Sequence, residues 1–278
     1  NLIKNTIYVM IFSDENTEYL VIGGGMVGLS IAYQIIKNKP KSKIIIIDKE
    51  DSLGKHSSGR NSGVLHAGIY YKPESLKARV CIKGSKRLVE FCNNEKLKVM
   101  KCGKVIAPQK IELDEQIDFL YKRGLANGAE VKIIDHKEFI DRVPYGFTAS
   151  GRALWSPNTA VVNPKKIIKR LKDKLQTKGV IFLLGSEITN INPENNTINL
   201  ANKLSIKYNF LINSAGIQAD KIAHKFGVGL NFKIMPFKGI YWKLSSSCPL
   251  KFKTNLYPVP DLNLPFLGVH VTPDLKGN

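Results

Sequence analysis

Tyr19-Leu20-Val21-Ile22, Gly23-Gly24-Gly25-Met26-Val27-Gly28, the helically spaced apolar residues from Val27 to Ile36, and Ile44-Ile45-Ile46-Ile47-Asp48 decide the fold. A short, wholly apolar run reads as a strand buried on both faces, the glycines as a turn, and the 3.6-residue period as a helix. Strand, glycine turn, helix and strand in that order make the first βαβ unit of a doubly wound parallel sheet. Gly23, Gly25 and Gly28 also spell GxGxxG. The first permits a tight turn, the second admits a pyrophosphate to the backbone, and the third lets helix and strand pack closely. Met26 and Val27 open the helix, whose N-terminal N–H groups favour an anion. Asp48, followed by Lys49, ends the second strand where an acid can accept hydrogen bonds from an adenosine ribose. A dinucleotide is implied, and this stretch does not choose which one.

Further along, Ser75 opens a helical pattern reaching Phe91, and Lys104-Val105-Ile106 reads as a strand. Glu112 to Leu125 is helical and closes at Asn127-Gly128; Asn163 caps another helix with Pro164 in its first turn and Gly179 past its end. Val180 to Leu184 and Phe210 to Asn213 read as strands separated by a polar hairpin at Asn195-Asn196, and a short helix follows Ser214-Ala215-Gly216. From Phe232 the alternation Phe232, Ile234, Ile240, Trp242, with frequent prolines, predicts antiparallel strands of a different domain. The expected class is therefore α/β, a Rossmann-like dinucleotide domain with an interleaved α+β substrate domain containing an antiparallel sheet. The boundaries expected are 18–95 and 150–228 for the first, 96–149 and 229–278 for the second.

Composition bounds the function. The 278 residues carry 42 basic and 23 acidic side chains, a net charge of +19, with 43% hydrophobic residues. That balance excludes disordered and fibrous classes. No apolar run approaches the roughly 18–20 residues that span a bilayer, Ile7 to Phe12 and Ile44 to Ile47 being the longest candidates. The 35 lysines outnumber seven arginines and are scattered, with no basic run interleaved with aromatics, so no nucleic-acid partner is expected. Scattered lysine still gives a positive field, leaving peripheral contact with an anionic membrane as the alternative to a purely compositional origin. Four cysteines without CxxC spacing favour a reducing compartment over disulfides or structural zinc, and no metal is expected. A cytoplasmic location follows, with attachment at the inner face of a membrane as its variant. Residues 1–17 carry no cleavage-type signal, and the chain begins at Asn1, as a fragment would.

The choice of dinucleotide falls to His56-Ser57-Ser58-Gly59-Arg60-Asn61-Ser62-Gly63-Val64-Leu65-His66-Ala67-Gly68-Ile69-Tyr70-Tyr71, a loop of small residues able to bring many donors to a pyrophosphate or a planar ring. With it stand Lys72-Pro73-Glu74-Ser75-Leu76-Lys77-Ala78, Cys102-Gly103-Lys104, Asn213-Ser214-Ala215-Gly216, Pro236-Phe237, Tyr257-Pro258-Val259-Pro260 and Pro265-Phe266-Leu267-Gly268-Val269-His270. On these phrases the chain, from about Glu18 onward, resembles the FAD-dependent oxidoreductases of the D-amino-acid-oxidase type, in their L-2-hydroxyglutarate oxidase/dehydrogenase branch.

The resemblance implies FAD as cofactor, held by Gly23, Gly25, Met26, Val27, Gly28, Asp48, Lys49, Ser57, Ser58, Asn61, Ser62, Gly63, Ile188 (through its backbone, near the adenine), Ala215 and Gly216. It implies an antiparallel roof over the flavin and oxidation of a 2-hydroxy acid, with oxygen or a membrane quinone as acceptor. Sister branches take an amino acid or glycerol 3-phosphate. Candidate carboxylate contacts are Arg60, Lys77 and Lys238, the last standing where the family pattern has arginine and so lacking the bidentate fork. His66 and His270 are the candidate proton acceptors, each with a satisfied structural histidine as its alternative. Relatives continue beyond Asn278, so a C-terminally truncated member is expected, whose activity alone is in doubt.

Overall fold

The computed structural model describes residues 16–245, 247–261 and 268–275. The leading segment and Pro265-Phe266-Leu267 lie outside them. In chain order the elements are β1 (Asn16–Ile22), α1 (Met26–Asn38), β2 (Ile44–Asp48), β3 (Val64–Leu65), α2 (Leu76–Asn94), β4 (Val99–Met100), β5 (Lys104–Ala107), α3 (Glu115–Ala126), β6 (Lys132–Ile134), α4 (His136–Arg142), β7 (Ala153–Ser156), β8 (Ala160–Val162), α5 (Pro164–Gln176), β9 (Ile181–Leu184), β10 (Ile188–Asn192), β11 (Thr197–Leu200), β12 (Ser205–Asn213), α6 (Ala219–Lys225) and β13 (Asn255–Pro258). They form two compact units between which the chain passes more than once.

Unit 1 comprises 1–61 and 164–240. Its six-stranded sheet runs β10-β11-β12-β1-β2-β9, parallel from β12 to β9 and antiparallel at the β10–β11–β12 edge. The apolar runs of β1 and β2 occupy its centre because both faces are covered: Leu20, Ile45 and Ile47 pack with Leu183, Ile198 and Tyr208, while Val21, Ile44 and Ile46 are equally buried on the alternate side. α1 and α5 pack together, α5 burying Ile167, Ile168, Leu171 and Leu175 as one stripe.

Unit 2 comprises 62–163 and 241–278. Its four-stranded sheet runs β13-β5-β7-β6, and a small sheet runs β3-β8-β4. Ile106, Leu154 and Tyr257 pack with Ile117 and Leu120 of α3 on one face of the larger sheet; Val105, Ala107 and Ala153 pack with Phe139 of α4 on the other. Ser75 caps α2 by accepting from the Ala78 amide at 3.2 Å, and Asp135 caps α4 from Glu138 at 2.8 Å.

Boundaries expected at 95, 149 and 228 compare with divisions at 61/62, 163/164 and 240/241: pairing carries 62–95 and 150–163 into unit 2, where β3 pairs with β8 and β7 lies between β5 and β6, while 229–240 falls in unit 1. The alternation from Phe232 to Trp242 builds no regular strand, since no described strand offers it a ladder. Its apolar side chains are instead exposed, Trp242 to 94%. The strand beyond it, β13, joins β5 in parallel, with one antiparallel bridge from Leu256 to Val271. No helix among the described residues is long and apolar enough to cross a membrane.

Gly103 enters β5 at φ +63°, donating its N–H to Thr159 O and accepting from Asn255 Nδ2 at 2.7 Å, with the Trp155 ring where a Cβ would stand. Gly103→Ala is expected to lower unfolding stability by roughly 1–3 kcal/mol or more, read from the denaturant midpoint.

Candidate functional site

In unit 1 the glycine turn is drawn tight from several directions. The Gly23 amide donates to Ile47 O at 2.8 Å, and the Gly24 amide to Asp48 Oδ2 at 2.8 Å. Asp48 Oδ1 accepts from Glu50 N at 3.0 Å, so the carboxylate braces the loop while each oxygen keeps a further acceptor position. Ser214 Oγ donates toward Ile22 O (2.8 Å) and Gly23 O (3.1 Å), tying β12 to the turn. A Cβ on Gly28 would overlap Gly23 O, with Ser214 Oγ at 2.6 Å and Val21 Cγ1 at 3.1 Å. Gly25 differs: a Cβ there meets only Ser58, its Oγ at 3.0 Å. α1 begins at Met26 with no side-chain cap from Gly25; Ser58 Oγ accepts from the Met26 amide at 2.9 Å, and the next two amides lack intrahelical acceptors. Asn61 Nδ2 donates to Ser57 O (2.9 Å) and Ser58 O (3.0 Å), holding the short turn that carries Ser58.

Unit 2 gathers a second set. Lys104, first residue of β5, is wholly buried; its Nζ lies 4.4 Å from the Tyr70 ring centroid and 5.2 Å from that of Tyr257, with no hydrogen-bond partner among the described residues. Burial pushes its pKa down to about 7. His66 stands edge-on to Tyr257, centroids 6.3 Å apart, and His270 stacks on Tyr257 at 4.1 Å. Burial, then the charges of Lys104 and His270, lower the His66 pKa to about 3, so its imidazole is neutral through the physiological range. His66 Nδ1 and the Tyr70 hydroxyl are buried without partners among the described residues, and burial raises the Tyr70 phenol well above its usual range. The loop carrying both is pinned to the end of α3: Asn127 Nδ2 donates to Gly68 O (2.9 Å) and Tyr71 O (2.8 Å), and Arg123 donates to Tyr70 O at 3.1 Å.

Residues 18–278 match the family description "FAD dependent oxidoreductase", abbreviated DAO. The chain belongs to this FAD-dependent oxidoreductase family. It is 38% identical over 263 residues to an L-2-hydroxyglutarate dehydrogenase of Indibacter alkaliphilus, covering 94% of this chain and 65% of that protein. It is 37% identical over 269 residues to a mitochondrial L-2-hydroxyglutarate dehydrogenase of Caenorhabditis briggsae, covering 94% and 62%. The chain thus spans less than two thirds of the relatives it matches. Among solved structures, FAD-bound L-α-glycerophosphate oxidase of Mycoplasma pneumoniae superposes with a TM-score of 0.78 at 24% identity, over 95% of this chain and 70% of that one, a likeness of fold.

The family's cofactor, FAD, fits unit 1: the turn has an approach at Gly25 free of backbone, amides at the start of α1, and an acid with acceptor capacity at Asp48. Of the residues expected to hold it, Gly23, Gly25, Met26, Gly28, Asp48 and Ser58 are brought together by these contacts. Ala215 and Gly216 follow Ser214, while Ser57 and Val27 are exposed. Ile188 opens the edge strand β10 with its side chain against the core; it is Gly185 and Ser186 whose amides reach Glu50 O and Asp48 O. Lys49 is exposed near Glu50, and Ser62 and Gly63 open unit 2. Arg60 and Lys238 are exposed in unit 1, and Lys77 is exposed on α2 over the Tyr71 ring at 4.8 Å. His66 and His270 do share one cluster. Sequence reasoning missed Lys104, Tyr70, Tyr257 and Ser214, although all sit in or beside the phrases that carry the resemblance; a lysine opening an apolar strand was the available signal for the first.

Gly25→Ala should fold normally and lose flavin, whereas Gly28→Ala should lose stability as well; far-ultraviolet melts beside the flavin-to-protein absorbance ratio separate them. For Lys104, the unfolded chain holds its proton up to about pH 10.5 and the folded chain only to about pH 7. Stability should therefore rise with pH between those values, and the rise should be reduced in Lys104→Met, as read from melting midpoints across the window.

Proposed function

We propose that the chain oxidises a 2-hydroxy acid to a 2-oxo acid, with L-2-hydroxyglutarate giving 2-oxoglutarate. The activity named for relatives at 37–38% identity supports the substrate. The observation that carries the chemistry is that His66 and His270 both stand against the Tyr257 ring in unit 2, bringing two candidate proton acceptors together. The chemistry that FAD supplies when bound is acceptance of the hydride from C2 of the hydroxy acid.

The remaining work belongs to the protein's own groups. Asp48, Gly25, the Met26 end of α1 and Ser58 bind and orient the cofactor in unit 1. His66 is one candidate acceptor of the hydroxyl proton: burial keeps its imidazole unprotonated throughout pH 5–8 and, by lowering its pKa to about 3, also makes it a weak base. His270, stacked on the shared Tyr257 ring, is the alternative acceptor. Arg60, Lys77 and Lys238 are candidate contacts for the carboxylates. Electrons pass on to oxygen or to a membrane quinone.

Anaerobic bleaching of the flavin tests the reading, using the chain alone and the chain joined to the portion of a relative that it does not match. L-2-hydroxyglutarate should bleach it, more readily in the joined form. Response to glycerol 3-phosphate or an amino acid alone would move the chain to another branch. His66→Asn should keep the flavin and slow reduction by roughly 10²- to 10⁴-fold. The wild-type rate should show no His66 limb between pH 8 and 5. Near-normal rates in His66→Asn, His270→Asn and the double variant would remove both histidines from the mechanism. Oxygen uptake against reduction of a soluble quinone identifies the acceptor.

A further inference from the structure

Unit 2 buries a cationic side chain without giving it an anion. Among the described residues Lys104 Nζ has no hydrogen-bond partner and no carboxylate pairs with it. The groups around it are Tyr70 from the loop after β3, His66 from the same loop, Cys81 from α2, Tyr257 from β13, and His270 beyond it. The Cys81 thiol is spent on His66 O at 3.4 Å, and burial holds its pKa above the usual value, so it supplies no thiolate at neutral pH. His270 Nδ1 faces Gly268 O at 2.9 Å.

Beside Asn255 Oδ1 and Thr272 Oγ1, which are also without partners among the described residues, three unspent groups can act as donors. Lys104 Nζ offers three donors and, while charged, no acceptor; the Tyr70 hydroxyl offers one donor; His66 Nδ1 can donate in the corresponding tautomer. Buried polar atoms are satisfied in the great majority of folded proteins, and exceptions mark a missing water, ion or ligand. Electron-rich ring faces of Tyr70 and Tyr257 attract the ammonium but leave its N–H donors open. An oxyanion with several lone pairs answers all three groups and cancels the charge. A carboxylate has that inventory and, at pH 7, that charge.

We infer that Lys104, Tyr70 and His66 form a carboxylate-binding subsite in which the ligand supplies a counter-charge that the described residues do not. This deepens the hydroxy-acid reading, on which the identity of the carboxylate as the substrate's own rests. It makes Lys104 a specificity-determining contact, separate from the exposed Arg60, Lys77 and Lys238. A dicarboxylate is favoured over a monocarboxylate because one carboxylate can occupy the subsite while the other stays attached to the reacting carbon. An alcohol without a carboxylate leaves the Lys104 donors empty.

Calorimetric titration of the purified chain with glutarate, an unreactive dicarboxylate, tests the subsite, with acetate and sodium chloride as the arms for a free small anion. Glutarate should bind, Lys104→Met should weaken it by roughly 10-fold or more, and Tyr70→Phe by a smaller factor. Flavin content should be unchanged in both. Equal affinity for glutarate in wild type and Lys104→Met, or no glutarate binding by the folded wild type, overturns the subsite. Acetate binding as tightly as glutarate overturns the assignment to a dicarboxylate. Should Lys104→Met fail to fold, the wild type with isotopically labelled lysine decides: its buried lysine signal should titrate near pH 7 alone and markedly higher with saturating glutarate, and an unmoved midpoint refutes the proposal. Reduction by L-2-hydroxyglutarate with an unchanged KM in Lys104→Met would leave the activity standing and remove the subsite. Lys104-dependent glutarate binding without reduction by the hydroxy acid would do the reverse.

Discussion

At Gly28 the first helix approaches the preceding turn so closely that a single methyl group would overlap the Gly23 carbonyl oxygen. That approach fixes where α1 begins, and with it where the N-terminal amides stand. Ser214 sets the same distance from the other side, its hydroxyl bridging Ile22 and Gly23 across the β1–β12 ladder. Asp48 completes the arrangement by holding the Gly24 amide. One turn is thus anchored to both neighbouring strands, which is why it can present bare backbone at Gly25 without collapsing onto it. Binding surface made of backbone needs this kind of support, because no side chain is left to hold the shape.

Unit 2 faces the opposite difficulty. Its candidate site is made of side chains, and these are buried beyond what their polarity favours. Desolvation dominates each shift: it lowers His66 and Lys104 and raises Tyr70. The three therefore drift toward their neutral forms together. Such a cluster opposes folding, and the surrounding structure compensates by over-determining its positions: Asn127 and Arg123 clamp the loop of His66 and Tyr70, while Asn255 and Thr159 clamp the Gly103 turn that aims Lys104. Buried, unpaired polarity of this sort, surrounded by ordinary well-paired sheet, is where function is expected.

The division between what the sequence discloses and what it conceals has a physical basis. β1, α1, β2 and α5 are legible because their signals are local: an unbroken apolar run, a 3.6-residue period, a cap and a proline within one turn. The cofactor turn is legible for the same reason, since Gly23, Gly25 and Gly28 all follow the end of β1 within six residues. Lys104 is not, being one lysine among 35, and its burial depends on Tyr70 and Tyr257 arriving from remote parts of the chain. The unit boundaries escape too, because the residues of β3 and β8 reveal their partnership only as a ladder. Phe232 to Trp242 shows the converse error. Period two is necessary for a half-buried strand, but a strand also needs a neighbour to receive its N–H and C=O groups, and no local pattern encodes that neighbour.

The exposed stretch and the buried cluster can be weighed by the same rule. Large apolar side chains such as Phe232, Met235, Ile240 and Trp242 in water, and donors such as Lys104 Nζ buried without a partner among the described residues, each leave a favourable interaction unmade. The apolar surplus is non-directional and fits many kinds of cover, so it does not by itself name its partner. The polar surplus is directional and typed: an ammonium and a phenol, with an imidazole, accept only a ligand that can take their protons in hydrogen bonds and carry negative charge. Unsatisfied polarity therefore identifies chemistry where unsatisfied hydrophobicity identifies only surface.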